Sequence, residues 1–381
     1  MYPQLTATDQ AHLQRALELA EHGRGAVSPN PLVGAVVVRS GMVIGEGFHA
    51  ELGGLHAERA ALGDCRERGE SPAGATMYVT LEPCAHQGRQ PPCVEAILEA
   101  GIGRVVIASD DPSEKAAGRG PGILRDGGVE VAFAAGAEAT AARRLTQPFR
   151  KHARTGLPFV VLKMAMSLDG QTTTAPGDSP WISAPESQEL VHKWRSESDA
   201  IAIGIGTALA DDPLLTARIE GARQPKRIVF DSQARLPLGS QLLKTLDQSS
   251  VLVITAPDAP ADRVSALKEA GAEIITAPDI EAALRELGRQ EITSLFLEGG
   301  QTLASAFVSS DLIDESRTFI APMLLGSQPN SGPRVGGDDR EDSPGRGSPR
   351  SETGPARQNA LRSSTKSIGP DTLIKSTFKE W

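Results

Sequence analysis

Short apolar, β-branched runs alternate with stretches of helical period along most of this chain, and they do so in two series. VGAVVV (33–38) and MVIGEGF (42–48), separated by Arg-Ser-Gly, read as a hairpin. Before them, residues 9–22 place Leu13, Ala16, Leu17 and Ala20 on one helical face, with Thr8 as candidate cap and Gly23 past the end. A helix beginning near His56, a strand at 75–80, a helix near 92–100 and a strand at 104–110 complete the first series. A break containing Pro148, Gly156 and Pro158 follows. The second series runs FVVLKMAM, a helix around 185–197, DAIAIGI, KRIVFD, SVLVITA, a helix near 262–270, AEIITA, a helix near 280–289, SLFLE and a helix over 301–308. Alternation of this kind implies helix-covered sheets, an α/β fold.

A chain of 381 residues holds two domains of ordinary size. The break sets the division: a first domain over 1–146, a linker at 147–157 and a second domain from 158 to 326. The composition then changes. Of the 44 residues from 327 to 370, 21 are Gly, Pro or Ser and about five are aliphatic, so disorder is expected there. Residues 371–381 (DTLIKSTFKEW) read as a final strand of the second domain.

Charge and composition narrow the partners. Lys and Arg number 39 against 48 Asp and Glu, a net charge of −9, which disfavours nucleic acid or an anionic membrane as the main partner. Aromatic residues make up 4% of the chain, too few for extensive base-stacking platforms. Three cysteines are too few for a disulfide scaffold of this length. The first ten residues show no signal-peptide pattern, and no apolar run approaches the roughly 18 residues of a membrane helix. A cytoplasmic protein is expected. The sequence leaves its oligomeric state open, a homo-oligomer included.

The sharpest chemical signal is His56-Ala57-Glu58, then Pro83-Cys84, then Pro92-Cys93. One imidazole and two thiolates supply three ligands and leave a fourth position for water, the catalytic zinc arrangement. Zinc lowers the pKa of such a water towards neutrality. Glu58 lies too near His56 to be an independent ligand, but it can take the water's proton and pass it to a leaving amine. Both thiols can sit at a helix N-terminus, which favours thiolate. A His-x-Glu alone is commonplace, and Cys84 and Cys93 alone could be buried apolar residues or a disulfide, although no secretion signal supports the latter. The four residues in order, each after the right kind of element, match nucleobase-type zinc deaminases. Cys65 has no partner in the pattern and reads as structural. A structural zinc module would need a fourth ligand, for which His86 is the one candidate.

The second series carries no GxGxxG after a strand, so the dinucleotide fingerprint is absent. It has instead DAIAIGIGTALADDPLLTAR (199–218), in which a strand runs into Gly204-Ile205-Gly206-Thr207, and SLFLEGGQTLASAF (294–307), a strand, two glycines and a helix start. Glycines there let a phosphate approach backbone N–H groups. Either motif alone is ordinary turn chemistry.

SPNPLVGAVVV (28–38), GFHAELGGLHAERAAL (47–62) and TLEPCAHQGRQPPCVEAI (80–97) together resemble the pyrimidine deaminase domain of bifunctional riboflavin biosynthesis enzymes. Eight residues separate Cys84 from Cys93, where many cytidine and tRNA adenosine deaminases have two. That spacing and the acidic charge disfavour a nucleoside or tRNA deaminase with an accessory domain. KMAMSLDGQTTT (163–174), SPWIS (179–183), VHKWRSESDA (191–200) and RIVFDS (227–232) extend the resemblance to the reductase domain of the same enzymes. The implied architecture is a cytidine-deaminase-like three-layer domain followed by a dihydrofolate-reductase-like domain.

The resemblance implies phosphorylated pyrimidine substrates and the cofactors Zn2+ and NADPH. Deamination of 2,5-diamino-6-ribosylamino-4(3H)-pyrimidinone 5′-phosphate is followed by reduction of 5-amino-6-(5-phosphoribosylamino)uracil to the ribityl product. Asn30 and His49 would hold the pyrimidine, with His86 and Arg89 as substrate or phosphate contacts. Ala165, Trp181, Thr207, Asp211, Ser232, Gly299, Gly300, Gln301 and Thr302 would contact NADPH. Ser179, Arg195, Leu215, Arg218 and Glu298 would contact the second substrate, the two arginines suiting its phosphate. Residues 327 to about 365 match nothing in the family; their Gly, Pro, Arg and Ser content is what a local frame shift, compensated near residue 366, would leave. Such a shift would leave a deaminase with an inactive reductase half.

Overall fold

The structure of the protein, a computed structural model, describes residues 5–88, 90–114, 116–173, 182–326 and 358–381. The chain forms two units, one from residues 1–159 with 284–294 and 380–381, the other from 160–283 with 295–379.

In the first unit the elements run α1 (Ala7–Glu21), β1 (Gly34–Arg39), β2 (Met42–Phe48), α2 (Ala57–Glu67), β3 (Thr76–Val79), α3 (Cys93–Glu99), β4 (Arg104–Ile107), α4 (Arg119–Asp126), β5 (Glu130–Phe133), α5 (Ala137–Leu145) and α6 (Gln147–Thr155). The strands form one sheet in the order β2-β1-β3-β4-β5. β1 is antiparallel to both neighbours, whereas β3, β4 and β5 are parallel. Successive side chains of a strand face opposite ways. Val36, Val38, Tyr78 and Val106 therefore meet Leu13, Leu17 and Ala142 of α1 and α5 on one face. Val37, Met77 and Val105 meet Ala61, Leu62, Ile97 and Leu124 of α2, α3 and α4 on the other. These are the three layers the resemblance implied.

In the second unit the order is β6 (Phe159–Ser167), α7 (Pro185–Glu197), β7 (Ala200–Gly204), α8 (Ile205–Asp211), β8 (Lys226–Phe230), α9 (Gln241–Lys244), β9 (Val251–Thr255), α10 (Ala261–Glu269), β10 (Glu273–Thr276), α11 (Ile280–Arg289), β11 (Ser294–Leu297), α12 (Gln301–Ser309), β12 (Glu315–Ala321), β13 (Arg362–Ile368) and β14 (Asp371–Thr377). Nine strands pair in the order β10-β9-β8-β7-β11-β6-β12-β14-β13. The run from β10 to β11 is parallel, as is the β6–β12 pair, and β14 is antiparallel to β12 and to β13.

Several expectations change. The stretch 147–157, read as a linker, is largely helix α6: Pro148 sits in its first turn and Gly156 caps it in the left-handed region. Pro and Gly mark the two ends of a helix there, not an irregular segment. The stretch 327–370, read as disordered, contributes β13, which starts at Arg362 and pairs along its length with β14. Its side chains are polar and exposed, so its main-chain ladder and not burial makes it a strand. Residues 327–357 of that stretch lie outside the described residues. The final strand stops at Thr377, short of residue 381.

The entry of α1 shows how the first unit is fastened. Thr6, not Thr8, is the cap, and its hydroxyl and the Asp9 carboxylate form a reciprocal capping box. Asp9 is 3% exposed and accepts from Thr6 N–H (2.9 Å), Tyr78 Oη (2.8 Å) and Arg104 Nη1 (2.7 Å). Burial alone would raise its pKa, but Arg104, Thr6 and Tyr78 together hold it well below the usual carboxylate range. A carboxylate with a depressed folded pKa stabilises the fold above its unfolded value and loses that contribution as pH falls. Asp9→Asn is expected to cost about 2 kcal/mol near neutrality. Its acid-unfolding curve should be shallower than wild type below about pH 4, read by circular dichroism.

Candidate active sites

The first site is assembled at one end of α2. His56 is its N-cap residue, and Glu58 lies in its first turn, 4% exposed. β2 is pressed against this helix backbone to backbone. A Cβ on Gly47 would lie 2.3 Å from Ala61 N and 2.7 Å from Ala57 O, so only glycine permits the approach. Cys65, on the same helix, is fully buried in the core, in keeping with its structural reading. Cys84 follows β3 and Cys93 opens α3, whose first N–H donates to Cys84 Sγ (3.4 Å).

His56 Nδ1 lies 3.5 Å from Cys84 Sγ and 3.3 Å from Cys93 Sγ. These three ligand atoms fall within 4.8 Å of one another. One nitrogen and two sulfurs converging at that separation fit a zinc ion bound through three protein ligands, with a fourth position open. Hydrogen bonding from Cys93, together with His56, holds the Cys84 thiol down at about 4. Burial, with the Cys84 charge adding to it, pushes the Glu58 carboxyl up to about 7.

Asn30, His49 and His86 line the same pocket. His49 is 3% exposed, and burial pushes its pKa down. Its Nδ1 lies 2.9 Å from the Leu55 carbonyl, which can only accept, so Nδ1 carries the ring proton. In the neutral ring Nε2 then accepts from Asn30 Nδ2 at 3.0 Å. His86 has its Nδ1 buried without a hydrogen bond. Arg89 lies outside the described residues. The pocket also takes Glu82, Asp111, Ser113 and Phe149, none of which sequence reasoning singled out. Burial raises the pKa of both acids. Asp111 had a readable signal, an Asp-Asp-Pro run at the end of a strand, whereas Phe149 lies in the stretch read as a linker.

The second site lies at the carboxyl ends of parallel strands, where open α/β sheets bind ligands. β7 and β11 are neighbours, and each runs through glycine into a helix, α8 and α12. Gly300 caps α12, and a Cβ there would lie 3.5 Å from Thr207 Oγ1. Thr207, Gly299, Gly300, Gln301 and Thr302 are thus brought to one place. Ala165 lies on β6, next to β11 in the sheet. Asp211 ends α8, one turn on from Thr207, and Ser232 follows β8, both exposed. Ser179 and Trp181 lie outside the described residues.

Arg195 and Glu298 form a largely buried bidentate pair, Nε–Oε1 2.7 Å and Nη2–Oε2 2.9 Å, and Arg195 Nη1 donates to Thr216 O at 3.1 Å. Burial opposes the Glu298 charge, but Arg195 and Lys163 outweigh it and hold the carboxyl below its ordinary value. Arg195 thus has its fork committed within the protein. Leu215 is buried and Arg218 exposed on the segment that also carries Thr216.

No helix among the described residues is long and apolar enough to cross a membrane. The family described as cytidine and deoxycytidylate deaminase zinc-binding region matches residues 6–109, and that described as RibD C-terminal domain matches residues 158–340. The riboflavin biosynthesis protein RibD of Actinobacillus pleuropneumoniae is 39% identical over 339 residues, covering 87% of this chain and 88% of that protein. The RibD of Escherichia coli K12 is also 39% identical, covering 84% and 89%. Among solved structures, Acinetobacter baumannii RibD superposes with a TM-score of 0.80 at 35% identity, covering 98% of this chain and 99% of that one. A Thermotoga maritima diaminohydroxyphosphoribosylaminopyrimidine deaminase/5-amino-6-(5-phosphoribosylamino)uracil reductase follows at 0.78 and 31%, with the same coverage. The chain belongs to the RibD family of riboflavin biosynthesis enzymes and joins a zinc-binding deaminase domain to a reductase domain that uses NADPH.

Proposed function

We propose that the first unit deaminates 2,5-diamino-6-ribosylamino-4(3H)-pyrimidinone 5′-phosphate and the second reduces the resulting 5-amino-6-(5-phosphoribosylamino)uracil. The observation that carries the first assignment is the convergence of His56, Cys84 and Cys93 beside the buried Glu58. Both activities are named for the Thermotoga maritima relative.

His56, Cys84 and Cys93 would hold the zinc ion, which when bound would supply Lewis acidity towards a water. Glu58 accepts the proton of that water on its carboxylate and delivers it to the amine that leaves as ammonia. His49 has both ring nitrogens engaged, by Leu55 and by Asn30. Its role is therefore to orient the Asn30 amide, and Asn30 is the residue that meets the pyrimidine. His86, with a buried and unpaired ring nitrogen, is a further candidate for a substrate hydrogen bond.

In the second unit the turn at Gly299–Thr302, with Thr207 opposite, would hold NADPH, which when bound would supply the hydride. The Arg195–Glu298 pair presents a fixed polar wall to the ribosyl group. Because Arg195 is forked onto Glu298, the phosphate falls to Arg218, which is exposed.

Two substitutions test the assignments separately. Glu58→Gln should keep its zinc and lose about a thousand-fold in ammonia release, with NADPH oxidation on supplied deaminated substrate untouched. Retained deamination would remove Glu58 from the mechanism. Arg218→Ala should raise KM for the phosphorylated reductase substrate by about ten-fold or more while leaving ammonia release unchanged. An unchanged KM would return the phosphate to another residue.

A further inference from the structure

We infer that Trp381 is a positioning residue of the deaminase pocket and acts on it through α6. The inference rests on the deaminase reading above. Phe149 of α6 and Asp111 of the loop after β4 both line that pocket, and both lie beyond residues 6–109, the reach of the deaminase zinc-binding region.

What holds these two walls is a pair of buried cations. Arg150 and Lys151, next after Phe149, are 1% and 2% exposed. A guanidinium taken out of water must have its donors met. Arg150 Nη1 donates to Ser109 Oγ (3.1 Å) and Asp110 O (2.8 Å), and Nη2 reaches both Asp110 carboxylate oxygens (3.2 and 3.1 Å). Its remaining donor, Nε, goes to the Trp381 carbonyl at 2.6 Å. One side chain thus ties α6, the loop that leads into Asp111, and Trp381 together.

Trp381 is held from two further directions. Its N–H donates to Gln147 Oε1 (2.8 Å), and Gln147 Nε2 returns a bond to its carbonyl (3.2 Å). The Lys151 ammonium lies over its indole, 5.4 Å from the ring centroid, a cation–π contact. The Arg144–Glu380 pair (3.4 Å) is exposed and adds little. Residues more than two hundred positions later in the sequence thereby brace both walls, while the zinc ligands on α2, α3 and the loop after β3 are left alone. Loosening the brace should weaken substrate positioning and spare metal binding.

The test uses the full, zinc-loaded chain and the diaminopyrimidine phosphate, with ammonia release resolved into kcat and KM. Trp381→Ala and Gln147→Ala should each raise KM by about ten-fold, with kcat within about two-fold of wild type and zinc stoichiometry unchanged. Trp381→Phe, which keeps an aromatic face under Lys151, should restore most of the loss. Unchanged KM in both alanine variants would overturn the inference. So would kcat and zinc content falling together at constant KM, or phenylalanine failing to restore. Should Trp381→Ala not fold, Gln147→Ala retains the indole packing and is read in the same way. A wild-type chain that releases no ammonia would refute the deaminase reading itself, and the inference with it.

Discussion

The deaminase site depends on how closely α2 lies on β2. Gly45 and Gly47 leave the strand without side chains where the helix passes, and a Cβ at either would strike helix backbone or Cys65. That approach buries the first turn of α2, and with it Glu58, whose carboxyl is pushed up by burial. It also sets His56, the residue before the helix, against the two thiols supplied by β3's loop and by α3. A looser contact would admit water around Glu58 and separate the three ligand atoms. Local chain direction and a tight interlayer distance thus produce the chemistry together.

The second unit works through a different constraint. Parallel strands bring their carboxyl ends to one edge; β7 ends in Gly204 and β11 leads through Gly299 and Gly300, and a helix begins after each. Backbone N–H groups at such starts suit a phosphate-bearing cofactor. Arg195 and Glu298 lie 103 residues apart in the chain and neutralise each other in a largely buried setting. Removing one partner of such a pair would leave the other's charge uncompensated.

Much of this was legible before any coordinates. The candidate zinc ligands and Glu58 lie on or beside short elements whose type and order the local pattern announces, so their convergence follows from strand-loop-helix geometry. The three-layer sandwich follows from alternation in β1, where Val36 and Val37 face opposite cores. What stayed hidden depends on long-range contacts or on elements without apolar pattern. α6 is basic and begins at a proline, so nothing in its periodicity separates it from a linker, and Phe149 went with it. β13 is polar along its length and owes its existence to pairing with β14. The engagement of His49 by Leu55 and Asn30, and of Arg195 by Glu298, was hidden in the same way. No sequence spacing encodes which partner a buried polar group finds.

The central claim is that His56, Cys84 and Cys93 hold one zinc ion with a fourth position open. X-ray absorption at the zinc edge of the metal-loaded protein tests it directly. The account predicts four-fold coordination, with two sulfur scatterers at about 2.3 Å and two lighter N/O scatterers near 2.0 Å. The sulfur count should fall to one in Cys84→Ser. A shell of four protein ligands including His86, or sulfur scattering unchanged in that variant, would contradict it.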